Sequence, residues 1–267
     1  MDHPMPMQAT RLPAAGRPKI DIRGAAKRFG KMVALEGVDL ELRENSFTCL
    51  LGPSGCGKST LLNMIAGFAE PSAGQVLVDG RPVQGPSADR GVVFQEYALF
   101  PWRTALDNVA FGPMLKGRSK SEQQAIARRY LSLVGLAGHE QKYPGNLSGG
   151  MKQRVAIARA LANDPSVLLM DEPFGALDAQ TRETLQEELL RIWEQDRKTV
   201  VFVTHSISEA IFLADRIVVM ATRPGAVKQV FDVEIPRPRE RSDPEFVRLE
   251  REIKLLVRAE VQKLGVI

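Results

Sequence analysis

Residues 47–59 read FTCLLGPSGCGKS, and this stretch decides the fold. Its first five residues, Phe47–Leu51, form a continuous apolar run, which is typical of a strand buried on both faces. The residues from Gly52 to Ser59 fit the pattern G-x-x-x-x-G-K-[ST]. Apolar residues then recur at helical spacing between Ser59 and Phe68. The sequence therefore predicts a buried strand, a glycine-rich loop and a helix, in that order.

This loop has the chemistry of a phosphate-binding site. Its glycines let successive backbone N–H groups point into one concavity, and the N-terminus of the next helix adds partial positive charge. Lys58 supplies an ammonium group for the β- and γ-phosphates of a nucleotide, and Ser59 supplies a hydroxyl for Mg2+. The residues predicted to hold the nucleotide here are Gly52, Pro53, Ser54, Gly55, Cys56, Gly57, Lys58, Ser59 and Thr60. The alternative is an ordinary glycine-rich turn, but the flanking strand and helix favour the phosphate loop.

The composition is that of a folded protein. The chain has 267 residues, of which 44% are hydrophobic and 25% charged, with a formal net charge of +4. These values exclude predominant disorder, and the charge is too small for a dedicated nucleic-acid-binding protein. Cys49 and Cys56 offer neither a disulfide framework nor a metal-ligand spacing. Apolar stretches stay well below the roughly 18 residues that a transmembrane helix needs.

Strand and helix patterns alternate in the second half of the chain. Apolar strands are predicted at Val167–Met170 and Val200–Val203, with a helix from about Thr181 to Gln195 between them. This alternation predicts an α/β fold with a buried parallel sheet. Upstream, Ile20–Leu42 shows short β runs broken by glycines, which predict antiparallel, half-exposed strands. A helical region is predicted at Ser119–His139.

Two adjacent carboxylates end the strand predicted at Val167–Met170. Asp171 is a candidate ligand of the metal ion, and Glu172 is a candidate to orient or deprotonate an attacking water. Alone, an apolar run followed by Asp-Glu is a commonplace strand end. The upstream phosphate loop is what makes this pair informative.

A second anion-binding device is predicted at Leu147–Gly150. Ser148 precedes a helical run as its N-cap, and Gly149 and Gly150 leave the backbone amides uncovered. An ordinary Ser-Gly-Gly helix cap is the alternative. With the phosphate loop, the chain would carry two phosphate-binding segments nearly a hundred residues apart.

Taken in order, these motifs resemble those of an ABC-transporter ATPase subunit, from about Ile20 to Met220. The stretches YALFPW at 97–102 and DEPFGALD at 171–178 are most similar to the importer branch that serves nitrate, taurine and aliphatic sulfonates. The resemblance implies a P-loop NTPase fold of the ABC ATPase type. It has a mainly parallel core sheet, an antiparallel β subdomain and a helical signature subdomain at about 97–160.

The resemblance also implies a head-to-tail homodimer that holds two ATP molecules at its interface. Each would be bound by the Lys58 loop of one chain and the Ser148–Gly150 segment of the other. Gln95 would contact the metal ion and the attacking water and sense the permease, and His205 would contact the γ-phosphate. Asp178 would cross the dimer interface. Alone, these three residues are a strand end, a structural histidine and a helix cap, respectively.

Phe29 falls where the family has an aromatic residue stacked on adenine. Its ring would retain stacking, which tolerates other bases, although a core phenylalanine is the alternative. Met151 stands where the family's signature commonly has glutamine, which removes a polar side chain but no backbone donor.

The chain is divided into three parts by these patterns. Residues 1–18 are expected to be a flexible extension without the features of a signal peptide, and 19–235 the ATPase domain. Residues 236–267 form a linker and a C-terminal amphipathic helix, whose apolar stripe docks on the domain or binds a partner. The linker arginines at 237, 239 and 241 are expected at solvent. The stripe consists of Phe246, Leu249, Ile253, Val257, Val261 and Leu264.

The predicted function is ATP hydrolysis that drives solute uptake through a separate membrane permease. ATP and Mg2+ are the expected cofactors, and the expected partners are a second copy, the permease and, indirectly, a periplasmic or extracellular solute-binding protein, but no nucleic acid. The protein would lie peripherally on the cytoplasmic face of the inner membrane. Tyr97, Phe100 and Trp102 would contact the permease or form local core. The alternatives are a soluble ABC ATPase acting on DNA or ribosomes, and an exporter or lipid-transport subunit.

Overall fold

Strands and helices alternate through most of the chain. The computed structural model describes residues 18–222 and 224–263. The strands are β1 (Ile20–Phe29), β2 (Met32–Leu42), β3 (Phe47–Leu51), β4 (Ala73–Val78), β5 (Arg81–Pro82), β6 (Arg90–Val93), β7 (Val167–Asp171), β8 (Thr199–Thr204), β9 (Arg216–Ala221) and β10 (Ala226–Asp232). The helices are α1 (Lys58–Ala66), α2 (Ala105–Leu115), α3 (Lys120–Leu133), α4 (Gly149–Leu161), α5 (Ala179–Gln195), α6 (Ile207–Leu213) and α7 (Pro244–Gln262). Of these described helices, none is both long enough and apolar enough to cross a bilayer.

A six-stranded sheet of order β10-β9-β3-β8-β7-β6 forms the centre of the fold. Its strands pair in parallel except for β10, which is antiparallel to β9. All residues of β3 and β8 are buried, because parallel strands are covered on both faces. Leu51 lies opposite Thr204, and Asp171 lies opposite Val203. The register therefore brings the carboxyl ends of β3, β7 and β8 to one edge of the sheet.

A four-stranded antiparallel sheet of order β2-β1-β4-β5 packs beside the core. Burial alternates along Val38–Leu42, as the alternation of apolar and charged residues predicts. Gly24 and Gly37 do not break the strands, contrary to the sequence interpretation. They lie within β1 and β2 at φ values of 54° and 58°, and the β1–β2 register shifts beside Gly24. Glycine at such a φ forms a bulge, so the strands continue through it.

Helices α2, α3 and α4 pack together within the range predicted for the helical subdomain. The helix predicted over Ser119–His139 is shorter, since α3 ends at Leu133. Gly135 follows at φ 69°, and the N–H of Leu136 donates to the carbonyl of Leu131 at 2.8 Å. A glycine in the left-handed region is a common helix stop, and it explains the early end of α3.

Helix α7 packs on the hydrophobic core through its apolar stripe. Phe246 and Ile253 are buried, and Leu249 and Val257 pack partly against the same cluster. This is the docking arrangement that the spacing allowed. Leu264, which the predicted stripe included, and residues 1–17 lie outside the described residues.

The linker arginines are wrongly predicted to face solvent. Arg239 is only 6% exposed, and its guanidinium donates to the carbonyls of Ile211 and Ala214 at 2.5 and 2.6 Å. Arg237 is paired with Asp215 at 2.6 Å. Burial lowers the pKa of Arg239 to about 9, so the group stays charged at neutral pH. The C-terminal carbonyls of α6 need donors, and these arginines supply them.

Truncating the buried anchor of α7 should destabilise the fold. Phe246→Ala is expected to lower the free energy of unfolding by about 3–5 kcal/mol, because it removes a buried aromatic side chain and leaves a cavity. Urea denaturation followed by circular dichroism measures the change. Val247→Ala is the matched control, since Val247 is 50% exposed, and it should change stability by less than about 0.5 kcal/mol. Equal effects of both changes would contradict the docked position of α7.

Candidate nucleotide-binding site

The glycine-rich loop between β3 and α1 has the backbone of an anion site. Gly55 and Gly57 have φ values of 79° and 93°. A Cβ at Gly57 would collide with the side chain of Leu35 and lie 3.0 Å from the carbonyl oxygen of Ala34. Only glycine therefore fits at this position without strain.

The N-terminus of α1 has no side-chain cap. Its N-cap is Gly57, whereas the other described α-helices each begin with a side chain that accepts a backbone N–H. The first N–H groups of α1 are thus free to bind an anion together with the helix dipole.

Lys58 holds a buried ammonium group beside the loop. The residue is 5% exposed, and its Nζ donates to the carbonyl oxygens of Gly52 at 2.8 Å and Pro53 at 3.0 Å. Among the described residues it forms no salt bridge. A buried cation without a counter-charge attracts an anion such as a phosphate group.

Ser59 and Asp171 meet at the edge of the sheet. The Ser59 hydroxyl donates to Asp171 Oδ1 at 3.0 Å, although the two residues are 112 positions apart. Burial raises the pKa of the Asp171 carboxyl, and the hydrogen bond from Ser59 opposes that shift. A hydroxyl and a carboxylate are the oxygen ligands that Mg2+ takes, so these residues fit the ion. Among the described residues, no group of three His, Cys, Asp or Glu side chains could hold a metal ion.

Glu172 and His205 form a second polar pair at the same edge. Glu172 Oε2 lies 3.0 Å from His205 Nδ1, and the Glu172 N–H donates to the carbonyl of Val203 at 3.1 Å. Glu172 adopts φ 43°, a conformation that is strained for a residue with a side chain. The strand pairing of β7 with β8 holds it there, so its carboxylate projects from the sheet edge beside His205.

Gly175 lies beside both Gln95 and Glu172. A Cβ at Gly175 would lie 3.7 Å from Gln95 Nε2 and 3.8 Å from Glu172 Oε2. Gln95, two residues beyond β6, and Glu172 therefore both border Gly175. The sequence reasoning did not assign Gly175, and only its tight spacing after the Asp-Glu pair could have indicated it.

Ser148 lies on the helical subdomain, at the start of α4. Its Oγ accepts the N–H of Met151 at 3.3 Å, and Ser148 and Gly149 are exposed. Among the described residues, no hydrogen bond connects Ser148–Gly150 to the loop at 52–60.

Comparison with known proteins identifies the family. The family described as ABC transporter matches residues 35–175. The chain belongs to the ABC transporter family. It is an ATPase subunit that binds ATP, as the sequence predicts.

Several curated relatives match most of this ATPase. An uncharacterised ABC transporter ATP-binding protein of Methanocaldococcus jannaschii is 53% identical over 92% of this chain and 93% of the relative. A nitrate import ATP-binding protein of Synechococcus elongatus is 52% identical over 84% of each chain. A bicarbonate transport ATP-binding protein of Synechocystis is 52% identical over 82% of this chain and 80% of the relative.

Solved structures confirm the ABC ATPase fold. A dimeric ATP-binding cassette in a post-hydrolysis state, bound to ADP and Pi, has a TM-score of 0.72 and 36% identity, covering 81% of this chain and 99% of that one. The protein cbiO1 of Clostridium perfringens, part of the ABC transporter complex cbiONQ, has a TM-score of 0.75 and 26% identity, covering 93% and 97%.

Phe29 of this ABC ATPase is exposed and does not belong to the core. Half of its surface is accessible, and the Lys27 Nζ lies 5.2 Å from the centre of its ring. Lys27 pairs across the hairpin with Leu35, which packs at the Gly57 position of the loop. The core alternative is therefore wrong, and the ring stands on the hairpin that borders the phosphate loop.

Asp178 of the ATPase caps helix α5. Its Oδ1 accepts the N–H of Thr181 at 3.0 Å, and this hydrogen bond lowers the pKa of the carboxyl. The cap that the sequence offered as an alternative is thus present, and the side chain is also exposed.

The aromatic residues after Gln95 differ in exposure. Trp102 is 72% exposed, whereas Tyr97 packs partly against the core and Phe100 lies 4.7 Å from Phe111, ring centre to ring centre. Arg159 of α4 donates to the carbonyl oxygens of Ala98 at 2.6 Å and Tyr97 at 3.0 Å. Of the three predicted contact residues, Trp102 alone exposes most of its side chain to solvent. The loop that carries these residues is attached to α4.

Removing the Lys58 ammonium should weaken nucleotide binding itself. Lys58→Ala is expected to lower ATP affinity about 10- to 100-fold, which corresponds to one or two charge-assisted hydrogen bonds. Titration calorimetry with ATP measures the affinity. Lys120→Ala, at an exposed lysine on α3, is the control and should bind ATP as the unchanged protein does. Unaltered affinity of the Lys58 variant would remove Lys58 from the site.

Phe29 should contribute stacking without selecting the base. Phe29→Ala is expected to weaken ATP and GTP binding alike, by about 1–3 kcal/mol, whereas Phe29→Tyr retains binding because it keeps the ring face. Parallel titrations with both nucleotides measure the effect. A strong preference for ATP that survives Phe29→Ala would count against stacking.

Proposed function

We propose that this ABC ATPase powers an importer of small anions, with nitrate as the first candidate solute. The observation that carries the ATPase part is the meeting of Ser59 with Asp171 and of Glu172 with His205 at one edge of the sheet. The solute is suggested by the nitrate import relative and by the YALFPW and DEPFGALD stretches. Bicarbonate, taurine and other sulfonates are the competing solutes, since a bicarbonate transport relative is equally similar.

The working unit in this proposal is a head-to-tail homodimer. One protomer supplies the loop with Lys58, and the partner supplies Ser148, Gly149 and Gly150 together with Asp178. Two features support it: the Ser148 segment is exposed and unconnected to the loop of its own chain, and a similar ATP-binding cassette is dimeric. Two chains would then enclose each ATP.

Hydrolysis in this proposal depends on fixed charges around the γ-phosphate. Lys58 and the free N–H groups of α1 stabilise the charge on the transferred phosphoryl group, and Glu172 orients a water for in-line attack. His205 holds Glu172 and contacts the γ-phosphate. Mg2+ bound by Ser59, Asp171 and Gln95 would neutralise further phosphate charge.

Coupling to transport would run through the loop after Gln95. Trp102 exposes a large apolar side chain, which is typical of a protein–protein contact. We assign it to a membrane permease, which places the ATPase peripherally on the cytoplasmic face of the membrane. A periplasmic or extracellular solute-binding protein would deliver the anion to that permease.

The role of Glu172 predicts a trapped intermediate. Glu172→Gln should bind ATP with unchanged affinity, hydrolyse it at least about 100-fold more slowly, and accumulate as a dimer, because the amide cannot accept the proton from water. Phosphate release and light scattering at saturating ATP measure both effects. Glu187→Gln, at an exposed glutamate of α5, should behave as the unchanged protein. A variant that turns over normally, or stays monomeric with ATP, would contradict the proposal.

The importer assignment predicts uptake of nitrate by the reconstituted complex. The ATPase, its copurified permease and the solute-binding protein in liposomes should hydrolyse ATP faster when nitrate is present, and bicarbonate and taurine are tested beside it. Trp102→Ala should reduce copurification of the permease, whereas Leu115→Ala, 70% exposed on α2, should not. Stimulation by another solute, or outward transport, would replace the nitrate assignment.

A further inference from the structure

A buried chain of hydrogen bonds runs from the C-terminal linker to the end of β8. Arg241 Nη2 donates to Gln186 Oε1 at 2.7 Å, and Gln186 Nε2 donates to Glu209 Oε1 at 2.8 Å. The other oxygen of Glu209, Oε2, accepts the hydroxyl of Thr204. Gln186, Glu209 and Thr204 are 2%, 6% and 2% exposed. The chain therefore joins α5, α6 and the linker inside the protein, next to the residue that follows Thr204.

The backbone on both sides of His205 is fixed by this chain. Thr204 Oγ1 accepts the N–H of Ser206 at 3.0 Å, and Ser206 Oγ accepts the N–H of Glu209 at 3.3 Å. The side chain of His205 is 61% exposed, and its recorded hydrogen bond is the one to Glu172. Because most of the ring is exposed, its position depends on the turn that carries it.

The series of hydrogen bonds from Arg241 to Thr204 has one favourable direction of donors and acceptors. Arginine only donates and a carboxylate only accepts, so the Gln186 amide has one orientation that satisfies both neighbours. Glu209 then uses one oxygen for Gln186 and one for Thr204. A buried network of this kind favours one arrangement of its side chains when every group is paired. An unpaired group in it destabilises the folded protein.

Glu209 also borders the proposed reaction site. A cavity of about 20 Å3 is lined by Glu172 and His205 on one side and by Thr204, Glu209 and Arg182 on the other. Burial raises the pKa of the Glu209 carboxyl, and the hydrogen bonds from Thr204 and Gln186 and the charges of Arg182 and His205 oppose that rise. The network thus ends at the wall of the space beside the Glu172–His205 pair.

We propose that Glu209 is a positioning residue for ATP hydrolysis, which holds Thr204 and so sets His205 against Glu172, and that Gln186 and the linker residue Arg241 hold Glu209 in turn. This inference rests on the proposed roles of Glu172 and His205. It gives the C-terminal linker a part in the reaction through Arg241.

The test exchanges the buried amide of Gln186 and the buried carboxylate of Glu209, first at one position and then at both. In Glu209→Gln the new NH2 group faces either the NH2 group of Gln186, where one hydrogen bond is lost, or the Thr204 hydroxyl, where the bond reverses and the hydroxyl proton loses its acceptor. This variant should lower kcat roughly tenfold or more, with KM for ATP within about twofold, because the geometry of the reacting groups changes while nucleotide binding does not. The double exchange Gln186→Glu with Glu209→Gln restores every donor–acceptor pair from Arg241 to Thr204. It should recover kcat to within about threefold of the unchanged protein.

A spectroscopic readout separates positioning from loss of stability. The chain has three histidines, so the His205 ring signal can be assigned by its absence in His205→Gln. This signal should shift in Glu209→Gln and return in the double exchange. Glu187→Gln, an exposed neighbour on α5, is the control and should change neither the signal nor kcat. Unfolding midpoints confirm that each variant is folded.

The proposal is overturned if Glu209→Gln keeps full kcat and an unmoved His205 signal, or if the double exchange folds but stays as slow as the single variant. Should Glu209→Gln fail to fold, Arg241→Met tests the inference in its place. The methionine keeps a side chain against Phe212 but removes the donor to Gln186. This variant should lower kcat about threefold at unchanged KM. Full kcat in Arg241→Met would then overturn the inference.

Loss of turnover in Glu172→Gln together with normal turnover in Glu209→Gln would refute this inference alone. Normal turnover in Glu172→Gln would refute the proposed function.

Discussion

The register of the parallel strands is the constraint on which the site depends. Because β3, β7 and β8 run in the same direction and end together, residues more than a hundred positions apart meet at one edge. The loop with Lys58 leaves the end of β3, Asp171 and Glu172 leave β7, and His205 leaves β8. A one-residue slip of β7 would turn Asp171 to the other face of the sheet and separate it from Ser59.

Electrostatics then decides what this edge can bind. The buried Lys58 ammonium, the uncapped N-terminus of α1 and the left-handed glycines of the loop together favour a polyanion. Two carboxylates beside this positive region are poorly tolerated near phosphate unless a cation lies between them, which agrees with the proposed Mg2+. Completion of the cage by a second chain would make nucleotide binding and dimer closure a single event.

Arginines attach the peripheral segments to the core. Arg159 holds the loop after Gln95 against α4. Arg239 and Arg241 hold the linker against α6. Each arginine donates to backbone carbonyls or neutral side chains, and Arg241 also pairs with Glu183, so each fixes geometry where a hydrophobic residue could not.

The sequence by itself determined the α/β fold, the phosphate loop and the identity of the acidic strand end, because these depend on local patterns: apolar runs, glycines and their spacing. It could not determine that Arg239 is buried, that Gly24 lies within a strand, or that Gln186 and Glu209 meet. Those facts depend on groups brought together from distant positions, whose burial and hydrogen bonds no local pattern records. Phe29 illustrates the difference. The sequence gives an aromatic residue at this position, whereas its exposure depends on the packing of the hairpin.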